Sequence, residues 1–118
     1  MTAKGILYII ISGPEDQKRA AEAVRMAEYQ AGEGSHSIAV MLQGEGVEWL
    51  RKGSEDFRKE IQTSIGVIHE LGAAIFVCGA SLNEYGLTAN MGDYKFLSSS
   101  APKRISQVVA KGWQVAVF

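Results

Sequence analysis

The sequence predicts an α/β protein: a three-layer α/β/α sandwich in which a mostly parallel sheet of five strands lies between helices. Two observations lead to this fold class. Short apolar runs alternate along the chain with longer segments whose apolar residues recur at helical spacing. Glycine closes helical segments just before the next apolar run, as in Leu71-Gly72 and Lys111-Gly112. This alternation implies parallel strands, and right-handed connections then bring their carboxyl ends to one edge.

The first half of the chain predicts two strands and two helices. Ile6 to Ile11 is continuously apolar, which is typical of a strand buried on both faces of a parallel sheet. Pro14 suits the first turn of a helix that ends at Gly32 or Gly34. Ser37 to Leu42 is the second strand. The apolar faces of the two helices consist of Ala20, Val24, Ala27 and Ala31 in the first and Phe57, Ile61, Ile65 and Ile68 in the second.

The second half predicts three strands and two helices. Ala73 to Cys78 is the third strand, and a short helix that Gly86 ends follows it directly. A weaker fourth strand lies within Tyr94 to Leu97. The last helix ends at Gly112, before the final strand, Trp113 to Phe118. The pattern does not encode the order of the strands, and a flavodoxin-like order is our first expectation.

Length and composition favour one domain over residues 1–118 and exclude several classes of partner. The chain is 47% hydrophobic and 21% charged, as in a globular protein rather than a disordered one. Its formal net charge of -1 provides no basic field for a phosphate backbone, so we expect no nucleic-acid partner. No apolar run approaches the roughly 20 residues that span a bilayer, so we expect no membrane association.

The cysteine count bears on the compartment. Cys78 is the single cysteine, so the chain cannot form an internal disulfide and is not a disulfide-stapled secreted scaffold. The apolar run near the N-terminus is too short for a signal peptide and has no small-residue cleavage site after it. We therefore expect a protein of the reducing cytoplasm.

The carboxyl edge of the sheet is where an open α/β fold binds ligands. Cys78 ends a buried strand there, and the backbone N–H groups of Gly79, Ala80 and Ser81 follow at the start of a helix. A thiolate in such a place has a depressed pKa and is nucleophilic without a histidine. The alternative is that Cys78 is an ordinary buried side chain that fills space.

Other residues of this edge are candidates for a pocket or a secondary contact: Ser12, Gly13, Asn83 and Tyr85. Ser98 to Ser100, with Lys103 and Arg104, precede the last helix and could hold an anion, although helix capping is the simpler interpretation. His36 and His69 fall at the opposite end of the sheet, so papain-like hydrolysis and zinc chemistry lack their residues. We expect no metal and no cofactor.

The stretch Val77-Cys78-Gly79-Ala80-Ser81-Leu82, followed by Tyr85-Gly86-Leu87, resembles the cysteine motif of the DsrE/DsrF-like family. Gly46-Val47, Leu50 and Lys52-Gly53 are similar to that family's loop after the second strand, and the similarity extends over nearly the whole chain. The resemblance implies a parallel sheet flanked by helices, usually assembled as trimers or hexamers. It also implies sulfur-relay chemistry of the TusD-like kind, in which the cysteine matching Cys78 carries sulfur as a persulfide between donor and acceptor proteins.

Three functions stay open at this point. The first is a sulfur carrier, or a sulfurtransferase if the protein turns over, that uses Cys78 as the accepting thiol in a homo-oligomer or with related subunits. The second is a non-catalytic oligomeric subunit in which Cys78 is packed. The third is a small-ligand-binding domain whose pocket is formed by Ser12, Gly13, the loop Gln43 to Gly53 and Cys78.

Overall fold

The computed structural model describes residues 4–118. Within them the chain alternates strands and helices, as predicted. The strands are β1 (Gly5–Ile10), β2 (Ser37–Leu42), β3 (Ala74–Cys78), β4 (Asn90–Met91), β5 (Tyr94–Lys95), β6 (Leu97–Ser99) and β7 (Gln114–Val117). The helices are α1 (Gln17–Glu33), α2 (Asp56–Glu70), α3 (Gly79–Tyr85) and α4 (Ala101–Ala110), and 3-10 helical segments cover Pro14–Asp16 and Gly44–Leu50.

The main sheet has five parallel strands in the order β6-β3-β2-β1-β7, which confirms the predicted fold class. The order differs from the flavodoxin order that we expected, in which the first strand lies beside the third. Here β2, β3 and β6 are added in turn on the same side of β1, and only β7 returns to the far edge beside β1. The physical reason is that α1, α2 and α3 all cross the same face of the sheet, whereas α4 crosses the other.

The two faces of the sheet are covered unequally. On the first face, apolar residues of α1, α2 and α3 pack against side chains such as Tyr8, Val40 and Val77. On the second face, α4 alone contributes Ala101 and Val108 to a smaller cluster. That cluster consists of Leu7, Ile9, Ala39, Met41, Phe76, Cys78, Ala101 and Val108. Cys78 therefore belongs to the layer beneath α4.

The fourth strand of the sheet lies later than predicted. The main-sheet strand is Leu97–Ser99, while Tyr94–Lys95 pairs with Asn90–Met91 in a separate antiparallel hairpin. The residues between Gln43 and Gly53 are also more ordered than a loop, since a 3-10 segment places Trp49 in the core with no exposed surface. Gly46 lets this segment lie directly on the carbonyl of Ile10. Within residues 4–118, no helix has both the length and the apolar character needed to cross a membrane.

Candidate functional site

The structure brings two helix N-termini to Cys78. Cys78 is the last residue of β3, and α3 starts at the next residue. The parallel register pairs Cys78 with Ser99 at the end of β6, and α4 begins two residues later, at Ala101. Backbone N–H groups at a helix start have no partner within the helix and carry partial positive charge. The sulfur of Cys78 therefore lies where two sets of free N–H groups meet.

Hydrogen bonds to the sulfur lower the pKa of the Cys78 thiol. Burial of the sulfur raises the pKa of the Cys78 thiol. Hydrogen bonds from the Ser81 hydroxyl and from the N–H groups of Ser81, Ala80 and Ala101 lower it by more in total, so the pKa lies below the ordinary value of a thiol. No histidine takes part. Backbone amides and one hydroxyl are thus enough to favour the thiolate.

The Ser81 hydroxyl is oriented by a second contact. Its oxygen accepts a hydrogen bond of 2.8 Å from the N–H of Gly44, at the start of the segment after β2. A hydroxyl has one proton to donate, and with this lone pair of the oxygen occupied the proton is free to point at the sulfur. Ser81 is buried, so water does not compete strongly for these bonds. The chain after β2 therefore helps to set the ionisation of a thiol at the end of β3.

Cys78 lines an open cavity of about 370 Å³ on the side where α4 begins. Cys78 itself is 7% exposed, which limits contact to reagents that enter this depression. The lining contains no carboxylate and several hydroxyls. Its residues are Cys78, Gly79, Ala80, Ser98, Ser99, Ser100, Ala101 and Pro102. The depression is large enough to admit a small molecule.

Two of the predicted pocket residues, Ser12 and Gly13, have structural positions instead. The hydroxyl of Ser12 donates to the carbonyl of Phe118 at 3.2 Å, and its own carbonyl accepts from the Trp49 indole at 2.8 Å. A Cβ on Gly13 would lie 2.8 Å from the carbonyl oxygen of Glu45. Both residues are buried and neither lines the cavity at Cys78.

Asn83 and Tyr85 also lie outside the cavity. Asn83 is exposed on α3. Tyr85 lines a separate depression together with Glu45 and Glu48. Partial burial is the largest cause that raises the pKa of the Tyr85 hydroxyl, and the negative charges of Glu45, Glu84 and Glu48 raise it further. Tyr85 is therefore neutral and has no contact through which to activate the sulfur.

The histidines lie at the other end of the sheet, as expected. His36 precedes β2, and His69 is in the last turn of α2, where its ring packs against Tyr94 and Phe96. Among the described residues, no group of three His, Cys, Asp or Glu side chains is placed to hold a metal ion. The groups that lower the pKa of Cys78 are backbone amides and the Ser81 hydroxyl.

The contribution of α4 to the site was not predicted. Ser100 precedes this helix, but its hydroxyl makes no capping hydrogen bond, so the capping interpretation was wrong. The N–H of Ala101 instead lowers the pKa of the Cys78 thiol. The sequence signal was Ser98 to Pro102 ahead of a helix, but linking it to Cys78 requires knowing that β6 pairs with β3.

Comparisons with known proteins agree with this fold. The model of the DsrE/DsrF-like family matches residues 4–118. No curated protein matches the chain. Among solved structures, the ychN protein from E. coli is similar with a TM-score of 0.78 at 13% identity, covering 98% of this chain and 99% of that one.

Two further structures share the fold. MTH1491 from Methanobacterium thermoautotrophicum has a TM-score of 0.75 at 18% identity, covering 96% of this chain and 97% of its own. BT1422 from Bacteroides thetaiotaomicron has a TM-score of 0.73 at 14% identity, covering 96% and 94%. The family match spans nearly the whole chain and confirms the resemblance seen in the cysteine motif. The chain belongs to the DsrE/DsrF-like family.

Proposed function

We propose that this protein is a sulfur carrier that accepts sulfane sulfur as a persulfide on Cys78. The observation that carries the proposal is the convergence of four hydrogen-bond donors on the sulfur of Cys78, a residue that lines an open cavity. Thiol and disulfide sulfurs exchange by attack of a thiolate, so the fraction of thiolate limits the rate at neutral pH. A site that stabilises the thiolate without a neighbouring base suits a group carrier.

The transfer needs no oxidant. The Cys78 thiolate attacks the outer sulfur of a donor persulfide, a new S–S bond forms, and the bond between the donor's two sulfurs breaks. Its electron pair leaves with the donor as a thiolate. Cys78 then holds the outer sulfur, and the thiolate of an acceptor removes it by the same step in reverse. The four donors around the sulfur favour Cys78 as a leaving group in this second step, because they stabilise the thiolate that departs.

The absence of a second cysteine suits a carrier. With Cys78 as the single cysteine of the chain, no internal thiol can attack the persulfide and release its outer sulfur as sulfide. The outer sulfur of the persulfide is therefore transferred when a thiol of another molecule attacks it. We infer that the partners are sulfur-donor and sulfur-acceptor proteins and that the protein works in the reducing cytoplasm, where Cys78 stays free.

We also infer assembly into a homo-oligomer, a trimer or hexamer, or into a complex with related subunits. The support is the face of the sheet that carries only α4. Leu97 and Val117, on the two edge strands, pair with Phe76 and Ile9 of this face and are 57% and 58% exposed. Val109, on α4, is 54% exposed. Aliphatic surface of this kind is what a subunit contact covers.

The proposal is tested by incubating the reduced protein with a sulfane-sulfur donor and measuring its intact mass. We expect a gain of one sulfur atom that a thiol reductant removes, and no gain in Cys78→Ser. Ser106→Ala, a substitution on the exposed side of α4, is the matched control and gains sulfur like the natural chain. An unmodified mass after exposure to persulfide, polysulfide and thiosulfonate donors would contradict the proposal and favour the non-catalytic subunit.

A further inference from the structure

Arg104 lies beside the cavity and is fixed there by two contacts. Its guanidinium carbon is 4.1 Å from the centre of the Phe76 ring, and its Nε donates to the Ser99 hydroxyl at 3.3 Å. Stacking on an aromatic face is a favourable position for this cation. Ser99 lines the cavity and pairs with Cys78 across the sheet. The guanidinium therefore has a defined place at the rim of the site.

This place is close to the reactive sulfur. Phe76 and Cys78 are two residues apart and point to the same face of β3, which separates them by roughly 7 Å along the strand. Arg104 is one turn after Ala101, whose N–H interacts with the sulfur. The positive charge of Arg104 thus lies next to Ser99, which lines the cavity, and one helical turn from the start of α4.

The charge of Arg104 is not neutralised by the protein. The three ion pairs within residues 4–118 involve Arg19, Arg51 and Arg58, each with a carboxylate three residues earlier. Arg104 has no such partner in the described part of the chain, and only its Nε–H makes a side-chain hydrogen bond there. A guanidinium has five N–H groups, so four remain available to an anion.

We propose that Arg104 determines specificity at Cys78 by favouring sulfane-sulfur compounds that carry a carboxylate or sulfonate group near the transferable sulfur. Such a group would bind in the cavity with its oxygens on the guanidinium, in the geometry that arginine shares with oxyanions. The sulfur of the same molecule would then face the thiolate. This inference rests on the proposed function for the identity of the reaction, but the recognition of charge is measurable without any sulfur transfer.

The experiment compares two alkylating reagents that differ mainly in charge, iodoacetate and iodoacetamide. The Cys78 thiolate attacks the CH₂ carbon of either reagent and displaces iodide, so the ratio of the two second-order rates cancels any change in the ionisation of Cys78. We expect Arg104→Gln to lower the iodoacetate-to-iodoacetamide ratio by about fivefold, the effect of one partly exposed charge pair. Arg104→Lys keeps the charge and should retain most of the ratio. Lys111→Gln, at the other end of α4, is the control and should leave it unchanged.

Salt provides a second measurement on the natural chain. Ions screen the attraction between exposed charges, so the ratio should fall as ionic strength rises, and it should fall less in Arg104→Gln. A ratio that is the same in Arg104→Gln and the natural chain would overturn the proposal, as would a ratio in the natural chain that is independent of salt. If Cys78 does not take up sulfur, the proposed function is contradicted. The alkylation ratios would still show whether Arg104 favours anions at Cys78.

Discussion

The proposed chemistry depends on the groups that surround the Cys78 thiol in place of water. Cys78 has lost most of its contact with water, which by itself would keep the thiol neutral. The donors around it replace water with fixed N–H and O–H groups, and these favour the charged form more than burial disfavours it. Such groups need no reorganisation when the sulfur reacts. In the proposed transfer, the same donors would stabilise Cys78 as an attacking thiolate and as a leaving group.

The Ser81 hydroxyl is the side-chain member of this set, and its removal has a specific result. We expect Ser81→Ala to raise the pKa of Cys78 and to slow alkylation by iodoacetamide at neutral pH by about tenfold, the effect of one hydrogen bond to a charged group. At high pH, where the thiol is ionised in both proteins, the rates should converge. Ser106→Ala is again the control. A profile of rate against pH that is unchanged in Ser81→Ala would show that this hydroxyl does not act on the sulfur.

Part of this environment could be predicted from the sequence. The amides that follow Cys78 are local, and their position follows from a strand that ends where a helix begins. Ala101 could not be assigned because it is distant in the sequence and reaches Cys78 only through the pairing of β6 with β3. Ser12 and Gly13 were predicted at the right edge of the sheet. They are buried under the 3-10 segment Gly44–Leu50, which the sequence pattern had not revealed.

At the scale of elements, the predicted strands and helices are largely correct and the strand order is not. Apolar runs and glycines determine where each element starts and ends. The order depends instead on which face each helix crosses, and that is decided by contacts between helices, such as the packing of α1 on α2. The hairpin β4–β5 was missed for a related reason. Its strands have two residues each, which is too few to show the alternation of apolar and polar residues that marks a strand.

The 3-10 segment after β2 positions the N–H of Gly44, which donates a hydrogen bond to the Ser81 hydroxyl. Gly46 allows the same segment to lie close to β1. An added Cβ on Gly46 would collide with the carbonyl oxygen of Ile10, which is backbone and cannot rotate away. We expect Gly46→Ala to lower the free energy of unfolding by about 2 kcal/mol, a usual cost of overpacking. Denaturant titration measures this change.

Gly32→Ala is the matched control for that substitution. Gly32 lies within α1, and a Cβ there would lie 4.0 Å from the nearest atom of Leu71, in ordinary contact. Alanine should be neutral or stabilise the helix by up to ~1 kcal/mol. Equal unfolding free energies for the Gly46→Ala and Gly32→Ala proteins would mean that the close approach of the segment to β1 is unimportant for stability.

On the scale of the whole molecule, the uneven helical layers suggest how copies associate. Three helices cover one face of the sheet. On the other face α4 is the helix that packs on the sheet, and Cys78 belongs to that face. Exposed aliphatic residues occur at both sheet edges of that second face and on α4 itself. An assembly through this face would bring further protein close to Cys78 and would limit which molecules reach it.

Sedimentation equilibrium tests this association. We expect the natural chain, of 12.8 kDa, to sediment as a trimer or hexamer. Val109→Glu should weaken the assembly at least tenfold, because a carboxylate would lose water in the contact. Met26→Glu, on the opposite face in α1, is the control and should not. Monomers at all concentrations, or dissociation by Met26→Glu alone, would contradict this arrangement.

The most direct measurement on the account as a whole is the rate at which Cys78 takes up sulfur as a function of pH. The natural chain and Cys78→Ser are mixed with a sulfane-sulfur donor, quenched, and weighed intact. We expect the uptake rate of the natural chain to reach its plateau at a pH below the ionisation of an ordinary thiol, and we expect no uptake in Cys78→Ser. Uptake that begins only as a free cysteine ionises, or a sulfur adduct that persists in Cys78→Ser, would contradict the account.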